Sequence, residues 1–193
     1  CQTDVAMTDA GALLVYRGRT QAEVRDILAI RRSGDGWAAP VRVHADQWEI
    51  AGCPVNGPAV AARGAQAVVG WFTMGGGVPL LQLARSSDAG GSFAPPVKVD
   101  EGAALLGQVD VALDGQQAWV AWLREDAGGQ RVMLARYTPD LARELQRIEV
   151  ARLQGRGRAT GAPRMVADPR GLWLVWTDVV DGVAQLRGAH VTR

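Results

Sequence analysis

Arginines and carboxylates that fall close together give this chain its greatest chemical capacity. Arg17, Arg19, Arg25 and Asp26 form the densest charged group, and Asp4, Asn56, Arg124 and Arg164 join them as polar residues beside strand-like segments. A guanidinium offers a rigid fork of N–H donors that takes a carboxylate or sulfate bidentately. These residues are therefore candidates for binding a carbohydrate or another small anionic ligand. Trp48, in Asp46-Gln47-Trp48-Glu49, carries a ring that can stack on a sugar or wedge between packed sheets. Taken singly, each charge reads as a solvated loop residue in a weak ion pair; taken as a cluster, they mark a ligand face. Metal chemistry is poorly provided for. The two histidines, His44 and His190, show no metal-ligand spacing, and the chain has no Cys-x-x-Cys. No metal and no cofactor are expected.

The elements that must position these residues repeat. One unit reads Gly57-Pro58-Ala59-Val60, then Val68-Val69-Gly70-Trp71, then Leu81-Gln82-Leu83-Ala84-Arg85, then Pro96-Val97-Lys98-Val99. The next reads Gln108-Val109-Asp110-Val111, Trp119-Val120-Ala121-Trp122, Met133-Leu134-Ala135-Arg136 and Arg147-Ile148-Glu149-Val150. A third has Ala162-Pro163-Arg164-Met165, Leu174-Val175-Trp176 and Leu186-Arg187-Gly188-Ala189-His190; a first unit, with Tyr16 at the tryptophan position, precedes them all. Tyr16 to Trp71 is 55 residues, Trp71 to Trp122 is 51, and Trp122 to Trp176 is 54. Short strands in fours, recurring at roughly 40–50 residues, are the signature of propeller blades. A β-sandwich also has regular short strands, but the tryptophan register argues against it. The expected fold is all-β: a β-propeller of four-stranded antiparallel blades, about three and a half to four of them here, in units near 1–50, 51–103, 104–156 and 157–193, the last incomplete.

A turn segment fits the same frame. Ser86, Asp88, Gly90 and Phe93 have the form Ser-x-Asp-x-Gly-x-x-aromatic and resemble the Asp-box of sialidase-like propellers. Serine and aspartate side chains bond the backbone of a tight hairpin, and glycine supplies a positive φ without steric cost. Ser33-Gly34-Asp35-Gly36-Trp37 reads as a shortened version of it. The motif concerns folding, not activity. In a propeller, the turns from second to third strands and the approaches to first strands share one rim. That rim collects Thr3, Asp4, Arg17, Arg19, Asn56, Asp110, Arg124, Glu125, Arg164 and Asp178.

Composition narrows the partners. With 21 basic and 20 acidic residues the formal charge is +1, which argues against nucleic acid and anionic membrane surfaces. No apolar run approaches the roughly 20 residues of a membrane helix. Gly155-Arg156-Gly157-Arg158 is too short for a nucleic-acid tract and reads as an interblade loop. The chain opens abruptly at Cys1 and reads as a processed or truncated piece, so a missing propeller half or self-association is expected to cover its open sheet edges. Cys1 and Cys53 each stand at the start of an innermost strand. A disulfide between them fits a periplasmic, secreted or envelope-associated location; two free thiols are the other reading.

The whole chain resembles the C-terminal half of bacterial sialidase-like (BNR, or Asp-box repeat) propeller proteins of the secreted group labelled exo-α-sialidase by homology. The residues that carry this are Cys1-Gln2-Thr3-Asp4, Tyr16-Arg17-Gly18-Arg19, Arg25-Asp26-Ile27, His44-Ala45-Asp46-Gln47-Trp48 and Ile50-Ala51-Gly52-Cys53-Pro54-Val55-Asn56-Gly57-Pro58. The resemblance implies a six-bladed ring. Sialidases hold the substrate carboxylate with three arginines and use a tyrosine–glutamate pair with an aspartate acid/base, chemistry suited to an anionic sugar. This chain lacks the Phe-Arg-Ile-Pro segment that bears the first arginine. Of its two tyrosines, Tyr16 sits at the packing position and Tyr137 precedes a turn on the opposite rim. The expectation is an extracytoplasmic binding or interaction module with an arginine-rich ligand face. The alternative is a sialidase-type glycoside hydrolase whose catalytic set is completed outside this chain.

Overall fold

Apolar residues at every second position, separated by Gly, Asp and Pro turns, give short strands that pair with their sequence neighbours. The computed structural model describes residues 2–157 and 160–192 of the chain, and among them the strands form four antiparallel sheets with no helix. Blade 1 holds β1 (Asp4–Thr8), β2 (Gly11–Arg17) and β3 (Ile27–Ser33), with an outer strand broken into β4 (Gly36–Trp37) and β5 (Val41–His44), both paired to β3. Blade 2 is β6 (Ala59–Arg63), β7 (Gln66–Thr73), β8 (Leu80–Ser86) and β9 (Val97–Glu101). Blade 3 is β10 (Leu105–Leu113), β11 (Ala118–Asp126), β12 (Gly129–Tyr137) and β13 (Glu144–Arg152). Blade 4 has three described strands, β14 (Gly161–Asp168), β15 (Gly171–Val180) and β16 (Val183–Thr192). Each sheet is a meander, and the first strands pack in sequence, β1 on β6, β6 on β10 and β10 on β14. The architecture is a β-propeller.

The blades meet through one recurring contact. Val15, Gly70, Ala121 and Val175 share a register, pairing with Asp4, Ala59, Asp110 and Arg164 of their inner strands. The residues that follow, Tyr16, Trp71, Trp122 and Trp176, therefore point to the same side of each blade. Trp71 is buried against Leu13, Val15 and Ile27 of blade 1. Trp122 is buried against Val68, Leu81 and Leu83 of blade 2, and Trp176 against Trp119, Leu123 and Leu134 of blade 3. Each indole is thus a knob set into the face of the preceding blade. Two are tethered: Trp71 Nε1 donates to Asp46 Oδ2 at 2.7 Å, and Trp122 Nε1 donates to Asp100 Oδ2 at 2.7 Å. Tyr16, with no blade packed against it among the described residues, is only half-buried.

The hairpin between β8 and β9 is closed by its own side chains. Ser86 Oγ accepts from Gly90 N at 2.9 Å and donates to Asp88 Oδ1 at 2.7 Å, while Asp88 Oδ1 also accepts from Ser92 N at 2.9 Å. The Ser86 hydroxyl, with the Ser92 donors, holds the Asp88 carboxyl down to about 2. Gly90 has φ +84°, and a Cβ there would lie 2.5 Å from Leu13 Cδ1 of blade 1, so only glycine fits. Phe93 packs on the core between blades 1 and 2.

Removing the Trp122 indole leaves both a cavity and a buried carboxylate oxygen, Asp100 Oδ2, without its donor. Trp122→Ala is expected to destabilise the protein by about 3–5 kcal/mol in urea unfolding, and Trp122→Phe by about 1–2 kcal/mol through the lost bond to Asp100. Tyr16→Ala, at the same register without a blade to fill, should cost less than about 1 kcal/mol. Equal losses at positions 16 and 122 would refute the knob-and-face account.

Candidate functional site

The approaches to the four inner strands meet at one rim and enclose a pocket of about 400 Å³, lined by Gln2, Val55, Asn56, Leu106, Gln108, Glu125, Gln130, Gly157 and Ala162. That volume lies within the range of small-molecule sites, roughly 300–1,000 Å³. The backbone there is strained. Gly107 and Gln108 have φ of 82° and 51°, and Gly161 and Ala162, at the matching register, have 85° and 48°. Both pairs lie at bulges that shift the register at the start of β10 and β14. Left-handed non-glycine residues cost on the order of 1–3 kcal/mol each and persist only where surrounding bonds fix them.

Those bonds form a relay from blade to blade. Asn56 Oδ1 accepts from Gln108 N at 2.8 Å, and Asn56 Nδ2 donates to Leu106 O at 3.0 Å. Gln108 Oε1 in turn accepts from Ala162 N at 2.7 Å. A Cβ on Gly107 would sit 2.7 Å from Asn56 Oδ1, so the approach requires glycine. Gln130 is buried and donates through Nε2 to Glu125 Oε2 at 2.7 Å, while its Oε1 accepts from Thr160. Arg156 Nη1 lies 3.3 Å from Glu125 Oε1. Asp178 caps the loop that carries Gly157, accepting from Gln154 N at 3.1 Å and Gly155 N at 3.0 Å. Arg158 of the same tract lies outside the described residues.

Of the residues singled out in the sequence, the structure brings Asn56 and Glu125 into the pocket, with Arg164 in an adjoining crevice beside Gln2 and Gln108. Asp4 and Asp110 stand at one register on β1 and β10, and each ties its blade to the next. Asp4 Oδ2 accepts from Val60 N at 2.8 Å, and Asp110 Oδ2 accepts from Met165 N at 2.6 Å. Burial pushes the Asp110 carboxyl up to about 6, against the Met165 N–H and the Arg164 charge, and Asp4 adds to the rise.

The arginine cluster sits apart, between blades 1 and 2. Arg17 is buried, and its donors go to Asn56 O (3.0 Å), Arg25 O (2.7 Å) and Phe72 O (2.5 Å), with its guanidinium 5.1 Å from the Trp48 ring. Burial lowers its pKa to about 10, with Asp46 and Asp26 opposing. Trp48 is buried edge-on to Phe72 as an interblade wedge. Arg19 and Arg25 both pair with Glu23, and Asp26 accepts from Gln47 N and pairs with Arg42. The crevice beside Arg19 and Asp26 holds about 90 Å³, too small for a sugar ring and its contacts. Arg124 braces Asp100, 2.5 Å away, beneath the Trp122 tether.

The Tyr137 hydroxyl donates to Glu144 Oε2 at 2.6 Å, a tyrosine–glutamate pair on the hairpin rim. Burial and then Glu144 raise the tyrosine pKa, the reverse of an activated nucleophile. A larger hollow of about 590 Å³ on that rim includes Asp114 and Asp168, and both carboxylates hold their own turns and the indoles of Trp119 and Trp173. Among the described residues no three His, Cys, Asp or Glu converge as a metal site. No cysteine among them is free, and Cys1, the expected partner of Cys53, lies outside them. Gln2, Gln108 and Gln130 carry no motif. The sign that marks their region is a glycine at the entry to three of the inner strands, Gly57 just before β6, Gly107 near the start of β10 and Gly161 at the start of β14.

No protein-family model and no curated protein sequence matches the chain. Solved structures share its fold. It superposes on a GH43 endo-arabinanase from Bacillus licheniformis with a TM-score of 0.58 at 13% identity, over 99% of this chain and 71% of that one. It superposes on the Hadza microbial sialidase Hz136 with a TM-score of 0.59 at 18% identity, over 97% of this chain and 43% of that one. For a xylan β-1,4-xylosidase from Bacillus halodurans the values are 0.57 and 10%, over 98% and 39%. The chain thus spans less than half the length of the sialidase and of the xylosidase. At these identities the likeness is one of fold: a propeller of the kind found in sialidases and GH43 glycosidases.

The raised Asp110 carboxyl makes stability depend on pH. The folded protein keeps the proton up to about pH 6, whereas an unfolded aspartate releases it near 4. Stability from this group is therefore complete below about pH 4 and is lost as pH rises to 6. Asp110→Asn retains an acceptor for Met165 N and does not titrate. Relative to the wild type it should gain on the order of 2 kcal/mol between pH 4 and 7, read from paired urea melts; parallel pH profiles would refute the assignment.

Proposed function

We propose that the chain is the ligand-bearing part of an extracytoplasmic carbohydrate-binding propeller protein, with the sugar seated in the rim pocket between the inner strands. The amide lining of that pocket carries the reading. Asn56 and Gln130 are locked by bonds at both ends of their amides, while Gln2 and the Gln108 Nε2 make no side-chain bond among the described residues and face the pocket. Amides both donate and accept, as sugar hydroxyls do, and a rigid supporting layer lowers the cost of ordering on binding. Two of the proteins that share the fold are named as a sialidase and an arabinanase, which supports a carbohydrate ligand. The absence of a free thiol among the described residues suits an oxidising compartment.

The test is a titration of neutral and acidic oligosaccharides followed by ligand-observed NMR. Gln2→Ala, which removes no structural bond, should weaken the best ligand about five- to tenfold. Arg19→Glu, in the separate arginine cluster, should leave affinity unchanged. The opposite ranking would place the ligand among the arginines, and a panel without any binder would end the carbohydrate reading.

A further inference from the structure

Among the described residues that line the rim pocket, Glu125 carries the one charge, and Val55 is the one large apolar side chain left exposed, at 57%. The Glu125 carboxylate accepts from Gln130 Nε2 at 2.7 Å and from Arg156 Nη1 at 3.3 Å, and Arg156 directs Nη2 to Ala127 O at 3.1 Å. The other guanidiniums nearby are committed too: Arg17 to three backbone carbonyls, and Arg164 to Asp110 Oδ1 at 3.4 Å. An anionic sugar is recognised by a free fork of N–H donors, and no guanidinium among the described residues lines the pocket. Val55 is the more unusual feature. Its φ of 66° makes it the one β-branched residue among the described non-glycine residues with positive φ, a conformation that such side chains very rarely adopt. The chain is held on both sides of it. Cys53 is disulfide-bonded, and Asn56 is fixed by its bonds to Gln108 N, Leu106 O and Arg17 Nε. Strain of this kind persists only where the surroundings impose it and gathers at ligand clamps. Here it turns an apolar branch out of the core and into a pocket walled largely by amides.

We propose, resting on the carbohydrate reading above, that the pocket selects a neutral saccharide, seats the C–H face of one ring on Val55, and turns acidic sugars away through Glu125. A sugar ring has two kinds of surface. Its hydroxyls both donate and accept, and its C–H groups are apolar and gain by leaving water. Gln2 and the Gln108 amide meet the first kind, and Val55 meets the second. Trp48, whose ring could otherwise have stacked on a sugar, is buried between blades. A carboxylated sugar would bring a like charge to Glu125 in a partly enclosed site, where repulsion is screened less than in open water. No free guanidinium stands there to offset it.

Sugars paired by charge test the proposal: methyl glucoside against methyl glucuronide, methyl galactoside against methyl galacturonide, and lactose against sialyllactose. Each is titrated at neutral pH by ligand-observed NMR. In the wild type the neutral member of a pair should bind at least about tenfold more tightly than the acidic one. Glu125→Gln keeps an acceptor for Gln130 and releases Arg156, so it should shrink that ratio to about threefold or less, or invert it. Val55→Asn suits a left-handed backbone and removes the apolar branch. It should weaken the neutral ligand about five- to tenfold while stability in urea stays level or rises, a split that a merely structural valine would not give. Wild-type preference for the acidic member, lost in Gln2→Ala, would keep the sugar in this pocket and overturn the selection. An unchanged ratio in Glu125→Gln, or full affinity in Val55→Asn, would overturn the role given to that residue. Silence across all the pairs would remove the selection together with the carbohydrate reading beneath it.

Discussion

An indole set into the face of the preceding blade, with its N–H held by a carboxylate near the end of that blade's outer strand, is the contact on which the rest of the molecule depends. A single four-stranded meander cannot bury both of its faces, and these blades do so only in series. Trp71 and Trp122 fill the apolar space between sheets and fix the angle at which they meet, because the bonds to Asp46 and Asp100 have direction where hydrophobic contact has none. Further polar groups brace the tethers. Gln82 Nε2 donates to Asp46 Oδ1, and Arg124 holds the second oxygen of Asp100. Burial raises the Asp46 carboxyl above its ordinary value, and the indole and amide donors offset only part of that rise.

The rim pocket inherits its shape from these joints. Trp48 packs on Phe72 and lies under the Arg17 guanidinium, Arg17 holds the Asn56 carbonyl, and Asn56 clamps Gln108, which in turn holds the backbone of Ala162. A succession of packing and hydrogen bonds thus runs from the seam of blades 1 and 2 to the entry of blade 4. Two left-handed residues sit within it. The energy to hold them there comes from the joints, since the bulges themselves only unpair the ladder locally.

Much of this architecture is legible in the sequence because its signals are local. Period-two alternation marks the strands, and aromatic residues at 16, 71, 122 and 176 mark the joints, since a knob must recur at the same place in every blade. The role of the arginines is not legible in that way. Arg17 stands in a charged cluster, yet its donors are satisfied by three carbonyls, a partnership that depends on how close two blades come. Trp48 has the composition of a sugar platform and the position of a wedge for the same reason. The pocket is harder still to read. Its walls come from the entries to all four inner strands, and Gln108 gains its place there only through the bulge at Gly107.

A fold made of equivalent joints links its stability to its adhesiveness. Any residue set good enough to bury Trp122 against blade 2 is, in the same register on an uncovered blade, good enough to bury a foreign aromatic ring. Natural sheets protect such surfaces with charge or proline. The outer face of blade 4 instead presents Val166, Trp173, Val175 and Leu186, with Arg164 at the inner strand and His190 beside Trp173 among its polar groups. Trp173 is even pre-set for contact: its Nε1 donates to Asp168 Oδ2 at 3.0 Å, and its ring stacks on His190 with centroids 4.4 Å apart. Trp119 makes the matching bond to Asp114 within a closed joint, where its ring is fully buried. The exposed indole is therefore held in the orientation of a joint already made, which lowers the ordering cost for whatever blade meets it.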